Sequence, residues 1–114
     1  MKLVLASNNQ ILFHNLKIAD SLISRTVGLL KHKQLDESEA LLIRRCNSIH
    51  TFFMRFAIDV AMIDRNGKVI SVIENIKPYR FIVPRLKAKD TIEMAAGLIK
   101  KLGLRQGDTV HVVS

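Results

Sequence analysis

The segment 48–55 combines an imidazole, hydroxyls, aromatic rings, a thioether and a guanidinium in a short stretch of chain. A histidine beside aromatic side chains can act as an acid, a base or a ligand inside a pocket. Binding sites for small molecules usually have apolar walls and a few well-placed polar groups, and this segment offers both. The sequence therefore predicts a pocket around residues 48–59, with ligand-binding candidates at His50, Thr51, Phe52, Met54 and Arg55.

The same segment also fits a structural role. The ring of His50 could be partly buried and satisfied by a backbone carbonyl, as buried polar groups generally are. Arg55 and Asp59 are close in sequence, and a structural salt bridge between them is favoured over a place at the rim of a pocket. Both interpretations of His50, as a site residue and as a core residue, stay open at this stage.

Patterns typical of catalysis or metal binding are weak. Cys46 and Ser48 lie close to His50, but neither is part of a nucleophile motif such as Gly-x-Ser-x-Gly. The four histidines are far apart in the chain, and a single cysteine cannot form a Cys-rich metal site. No glycine pattern matches a phosphate-binding loop. We therefore expect no metal and no cofactor, and an enzyme that uses His50 ranks below a binding module.

A second candidate site is basic. The chain has 18 Lys and Arg against 10 Asp and Glu, a formal net charge of +8. The densest basic stretch, 77–89, contains no acid, and its polyanion-binding candidates are Lys77, Arg80, Arg85, Lys87 and Lys89. Such a surplus attracts phosphate-rich or acidic partners, although a solvated basic surface that keeps the protein soluble has the same composition. Five Phe, one Tyr and no Trp leave few rings for base stacking.

The hydrophobic pattern predicts about seven short strands and two short helices. Strands are predicted at 2–6, 10–18, 40–43, 58–64, 68–73, 91–94 and 109–113, and helices at 21–30 and 95–102. Residues 47–54 are predicted as an irregular strand or a loop at a strand edge. Pro78 and Pro84 limit 79–83 to an edge strand or an extended loop. Asn66-Gly67 predicts a tight hairpin, because both residues tolerate positive φ.

Length and composition indicate one domain over residues 1–114, of the α+β class with mostly antiparallel sheet. No apolar run approaches the roughly 20 residues that span a bilayer, so no transmembrane segment is predicted. The apolar run at the start is too short for the core of a signal peptide. Cys46 is the single cysteine and has no partner for an internal disulfide. A cytoplasmic location is therefore expected.

Four segments in the same order resemble a known family, the domain-of-unknown-function family 192. They are 25–30 (RTVGLL), 48–60 (SIHTFFMRFAIDV), 92–97 (IEMAAG) and 104–108 (LRQGD), and the second is the most specific. Ala57 departs from the family pattern, which usually has Pro there. The resemblance implies a compact, β-rich and barrel-like α+β fold, and it adds Arg25 to the ligand-binding candidates. It implies no reaction, because these small bacterial and archaeal proteins have no assigned activity.

Three hypotheses about function follow. The first is a non-enzymatic binding module with a pocket at 48–59 for a small molecule or a peptide. The second is a binder of nucleic acid or of an acidic protein through 77–89, although no known DNA- or RNA-reading motif is present. The third is an enzyme that uses His50.

Overall fold

The structure is a computed structural model, and it describes residues 1–20, 35–51 and 54–114. The helix predicted at 21–30 and the candidates Arg25 and Phe52 lie outside the described residues. The described strands are β1 (Lys2–Leu5), β2 (Ile11–Phe13), β3 (Asn15–Ala19), β4 (Glu39–Ile43), β5 (Ile49–His50), β6 (Ile58–Ile63), β7 (Val69–Ile76), β8 (Phe81–Ile82), β9 (Asp90–Ala95) and β10 (Val110–Val113). One described helix, α1, spans Leu98–Leu102.

A five-stranded sheet in the order β3-β4-β9-β6-β7 forms the centre of the fold. All neighbouring strands in it are antiparallel except β3 and β4, which are parallel. Every residue of β6 is buried, because this strand has sheet neighbours on both edges and packed side chains on both faces. Its sequence, IDVAMI, is correspondingly apolar except at Asp59.

One face of this sheet packs against the three-stranded sheet β10-β1-β2 and against α1. The shared core includes Leu3, Phe13, Ala61, Ile92, Met94 and Leu98. The predicted strand at 10–18 is in fact two strands, β2 and β3, separated at His14. The break has a structural reason, since β2 pairs with β1 whereas β3 pairs with β4, and the chain passes from one sheet to the other.

The opposite face of the central sheet packs on a second core, which includes Ile43, Ile49, Val60, Met62 and Ile76. The two-stranded sheet β5-β8 contributes to this core through Ile49 and Ile82. The two-residue strand β5 fits the prediction of an irregular strand or strand-edge loop at 47–54, of which residues 52 and 53 lie outside the described residues. The prediction of an edge strand between the two prolines is confirmed by β8.

The predicted hairpin joins β6 and β7, but its turn differs from the expected one. Only Gly67 has positive φ (81°), whereas Asn66 does not, so the expectation for Asn66 was wrong. The Asp64 carboxylate explains this, because its Oδ1 accepts the backbone N–H groups of Asn66 (2.8 Å) and Lys68 (3.0 Å). These bonds, with the Gly67 N–H donating to the Asp64 carbonyl (3.1 Å), fit a type I turn followed by a left-handed glycine.

The fold class is the predicted one, an α+β domain with few helices and mostly antiparallel sheet. Its three described sheets enclose the cores without closing into a barrel, since the central sheet ends at β3 and at β7 in the described part of the chain. The helix predicted at 95–102 is shorter, because Gly97 takes a left-handed conformation (φ 94°) and α1 begins after it. Gly103 ends α1 as a left-handed C-cap with a φ of 68°.

Candidate functional site

Thr51 connects the central segment 48–59 to the basic segment 77–89. It is fully buried, and its hydroxyl donates to the carbonyl of Lys77 (2.6 Å) and accepts the backbone N–H of Arg80 (2.9 Å). The Thr51 N–H donates to the Arg80 carbonyl (2.8 Å), and the Thr51 carbonyl accepts the N–H of Tyr79 (2.9 Å). These bonds hold Tyr79 at a φ of 65°, an uncommon value for a bulky residue. Thr51 therefore fixes the first half of the basic segment.

The central segment also pairs with the basic segment further along the chain. His50 lies opposite Phe81 in the β5-β8 ladder, and Ile49 lies opposite Ile82. The N–H of Arg85 then donates to the carbonyl of Asn47 (2.9 Å). The two segments that the sequence marks as separate candidate sites are thus one unit, in which 47–51 is the support for 77–85.

The five basic candidates of the segment 77–89 are all exposed. Arg85 and Lys87 line an open concavity with a volume of about 1000 Å³, which we call the basic groove. Its other lining residues come from the basic segment itself, from the β6-β7 turn and the start of β7, and from the turn before β10. The full set is Asp64, Lys68, Val69, Ile70, Ser71, Pro84, Arg85, Leu86, Lys87, Gln106 and Gly107. The groove therefore combines three cations, Lys68, Arg85 and Lys87, with apolar lining residues such as Ile70 and Leu86.

A smaller hollow of about 430 Å³ adjoins the groove, with Asp64 and Lys87 lining both. The hollow adds Arg65 and Lys89 to the cations, so that five basic side chains surround the two concavities. Asp64 is the one carboxylate in both linings, and one of its oxygens is engaged by two backbone N–H groups of the hairpin turn. Positive charge consequently dominates this surface.

The structure brings together only part of the predicted basic set. Lys77 and Arg80 line neither of these concavities and lie instead next to Thr51. Arg65, Lys68 and Leu86, which the sequence analysis did not select, do line them. Arg65 and Lys68 belong to the β6-β7 hairpin, so no spacing along the chain relates them to 85–89. Leu86 could have been selected from the sequence, because it is an apolar residue between the two cations Arg85 and Lys87.

The ligand-binding candidates of the central segment have different environments. His50 is half-buried, Met54 is buried in the second core, and Arg55 is exposed. Thr51 is fully buried and engaged with backbone groups, as described above. The pocket predicted around residues 48–59 stays a prediction.

Asp59 has a structural role that differs from the expected salt bridge with Arg55. Its carboxylate is fully buried, and Oδ1 accepts the N–H of Asn75 (2.8 Å). Oδ2 accepts the N–H groups of Gly97 (2.9 Å) and Ile99 (3.0 Å) at the start of α1. Within the described residues its hydrogen bonds are thus to backbone amides, because burial on β6 directs the side chain toward α1 and away from exposed Arg55.

Two further buried polar residues lie on β9. The hydroxyl of Thr91 donates to the carbonyl of Cys46 (2.7 Å), and the Cys46 thiol donates to the carbonyl of Ser48 (2.8 Å). Glu93 is fully buried opposite Leu41 and Val60, on the face of the sheet that carries the second core. No group of three or more His, Cys, Asp or Glu that could hold a metal ion occurs within 1–20, 35–51 and 54–114.

The helix that the structure describes is too short to cross a membrane. The model of the family DUF192, described as "Uncharacterized ACR", matches residues 3–112, and the chain belongs to this family. The family has no established function.

Relatives from two archaeal species carry a name that states no function. A "UPF0127 protein" of Pyrococcus furiosus is 36% identical over 98 residues, which cover 83% of this chain and 84% of the relative. A "UPF0127 protein" of Pyrococcus horikoshii is 36% identical over 97 residues, covering 82% of this chain and 84% of that protein.

Two solved structures have the same fold. A protein of unknown function from Novosphingobium aromaticivorans matches with a TM-score of 0.79 at 19% identity, over 97% of this chain and 82% of that one. A protein from Sinorhizobium meliloti, provisionally described as a transcription regulator, matches with a TM-score of 0.78 at 21% identity, over 96% of this chain and 89% of that one. At these identities the likeness concerns the fold alone.

Proposed function

We propose that this protein is a non-enzymatic binding module whose site is the basic groove and whose ligand is anionic. The observation that carries the proposal is the convergence of Lys68, Arg85 and Lys87 on one concave surface. Lys68 comes from the hairpin, whereas the other two come from the segment after β8. Cations from separate elements that line one concavity concentrate positive potential there, and this raises both the local concentration and the encounter rate of an anion.

The backbone hydrogen bonds that fix the residues of the groove also support a role in binding over that of a merely solvated surface. The backbone of Arg85 is tied to Asn47, and the Ala88 N–H donates to the Arg85 carbonyl (2.9 Å) in a turn. The N–H of Lys89 donates to the carbonyl of Ile63 (2.8 Å) at the end of β6. Because the backbone is fixed at both ends of 85–89, less conformational entropy is lost when these cations engage a ligand.

The segment 48–59 acts in this proposal as the support of the site. A pocket at His50 for a small molecule, and an enzyme that uses His50, are separate predictions that the proposal does not need.

A charge-matched pair of variants tests the proposal. One variant carries Arg85→Ser, Lys87→Ser and Lys89→Ser; the control carries Lys17→Ser, Arg44→Ser and Lys100→Ser, three exposed positions that do not line the groove or the hollow. Both lose three positive charges, so an effect of net charge alone is the same in each. Affinity for a labelled poly-glutamate peptide and for an oligothymidylate is measured by fluorescence anisotropy at about 50 and 200 mM salt.

The groove variant should bind both probes at least about tenfold more weakly than the control. Its slope of log K against log salt for the oligothymidylate should fall by about two, because each phosphate contact with a single strand contributes about 0.7. Equal losses of affinity in the two variants would contradict the proposed site, because net charge alone would then determine binding. No binding of the parent protein at low salt would contradict the proposed function as a whole.

A further inference from the structure

Four apolar side chains stand exposed between Pro78 and Lys87, and Leu86 is the one of them that lines the groove. They are Tyr79 (71% exposed), Phe81 (56%), Val83 (55%) and Leu86 (94%). Apolar side chains scattered singly on a surface need no explanation, but a contiguous patch marks an interaction site. These four lie within eight positions of sequence, among cations and with no acid between them. The bases of a nucleic acid could stack on the rings of Tyr79 and Phe81, but its backbone would leave the aliphatic side chain of Leu86 in the groove without an apolar partner.

Leu86 is one of the four exposed apolar side chains and also a lining residue of the groove, and it is almost completely exposed. It occupies the turn from Arg85 to Ala88 and has a cation on each side. The groove is also lined by half-buried Ile70 of β7, whereas the side chain of Val69 beside it is fully buried. A ligand in the groove therefore meets the apolar side chains of Leu86 and Ile70 as well as the cations.

The groove also lies beside one open sheet edge, that of β7, whose first residues line it. In the described part of the chain β7 is the last strand of the central sheet, and β8 has β5 as its one strand neighbour. The outer edge of β7 is covered as far as Val69, whose N–H donates to the Asp108 carbonyl (2.7 Å) and whose carbonyl accepts the Gly107 N–H (2.8 Å). An edge strand offers backbone groups to an added extended chain. The concave shape suits such a chain better than the flat surface of a membrane.

Together with the proposed function, on which this inference rests, these observations indicate which kind of ligand occupies the basic groove. We infer that the groove binds an extended acidic peptide segment of a partner protein, in which carboxylates alternate with apolar residues. Successive side chains of an extended peptide point to opposite sides. The carboxylates then face Lys68, Arg85 and Lys87, and the apolar residues contact Leu86 and Ile70.

The test compares probes of equal charge by fluorescence anisotropy at one salt concentration. The probes are a peptide of alternating Glu and Leu, a peptide with the same Glu residues and Ser in place of Leu, an oligothymidylate, and anionic phosphatidylserine vesicles. Leu86→Ser removes the apolar wall at a side chain too exposed to support the core. Val112→Ser, at an exposed apolar residue of β10, is the matched control.

The alternating peptide should bind at least about tenfold more tightly than the Glu-Ser peptide and the oligothymidylate, and it should bind in preference to the vesicles. Leu86→Ser should reduce its affinity about fivefold and leave the affinity for the Glu-Ser peptide unchanged, whereas Val112→Ser should change neither. Equal affinity for all anionic probes would overturn this inference, because the groove would then recognise charge alone, while the proposed function would stand. Tighter binding of the oligothymidylate or of the vesicles would overturn it in favour of that class of partner. Failure of every probe would refute the proposed function itself.

Discussion

Asp59 links two elements through three backbone amides, those of Asn75 at the end of β7 and of Gly97 and Ile99 around the start of α1. A carboxylate accepts all three, whereas an amide must turn an NH₂ group toward at least one of these donors. Asp59→Asn should therefore lower the free energy of unfolding by about 2–4 kcal/mol, measured by urea denaturation. Asp36→Asn, the same change at an exposed turn, should cost less than about 0.5 kcal/mol. Similar losses in both variants would contradict this role of Asp59.

Thr51 holds the backbone of 77–80 with its hydroxyl. Thr51→Val keeps the shape but removes the donor and acceptor, and it leaves the Lys77 carbonyl and the Arg80 N–H without the hydroxyl as a partner. The variant should lose about 1–3 kcal/mol of stability, and its proton–deuterium exchange should increase at 79–82. Thr51→Ser retains the hydroxyl and is expected to stay closer to the parent protein. A Thr51→Val protein with parental exchange at these positions would refute the role of Thr51 as their support.

His50 is half-buried and lies opposite Phe81. The predicted pocket at 48–59 requires that the imidazole be a site residue outside the packed core. His50→Ala should then change the stability by less than about 1 kcal/mol, measured by thermal unfolding, and should abolish the thermal shift caused by a small molecule that stabilises the parent protein. A loss of several kcal/mol would identify His50 as a core residue and remove the pocket hypothesis.

At the scale of the elements, the β6-β7 hairpin depends on Gly67 for two reasons. Its φ is positive, and a Cβ atom there would overlap the carbonyl oxygen of Val110. The Gly67 carbonyl also accepts the Val110 N–H (2.9 Å), so the close approach joins the hairpin to β10. Gly103 has a positive φ too, but a Cβ there would meet open space.

Substitutions at the two glycines therefore distinguish the free-energy cost of a positive φ from the cost of steric overlap. Gly103→Ala should cost about 1–2 kcal/mol, the penalty of a left-handed conformation alone. Gly67→Ala should cost clearly more, and Gly67→Val more again. The measurement is the urea midpoint of each variant at an unchanged m-value. Equal losses for the two alanine variants would show that the contact with Val110 is unimportant.

The limits of prediction from sequence also show at this scale. Alternation and turn residues predicted β1, β4, β6, β7, β9 and β10 to within a few positions, because those signals are local. The split between β2 and β3 could not be predicted, since it depends on which sheet each half joins. The turn conformation at Asn66 was decided by a side chain two positions earlier, Asp64, which the dipeptide pattern does not contain.

At the scale of the whole molecule, folding brings basic residues from separate parts of the chain to one surface. Arg85, Lys87 and Lys89 of the basic segment line the two concavities, and their role in binding stays a prediction. Lys68 and Arg65 reach the same surface from the hairpin, and no linear pattern connects the two. The central motif, which the sequence marked as a separate site, is the structural support of the basic segment through long-range hydrogen bonds.

The most direct test of the anionic-ligand groove is a map of the bound ligand on the protein. Backbone amide chemical shifts are recorded by NMR while the alternating Glu-Leu peptide is titrated into the parent protein. The largest changes should cluster at 68–71, 84–87 and 106–107, and they should be lost in the variant with Arg85, Lys87 and Lys89 replaced by Ser. Changes that centre on His50 and Arg55 and leave the basic groove unaffected would contradict the proposed site.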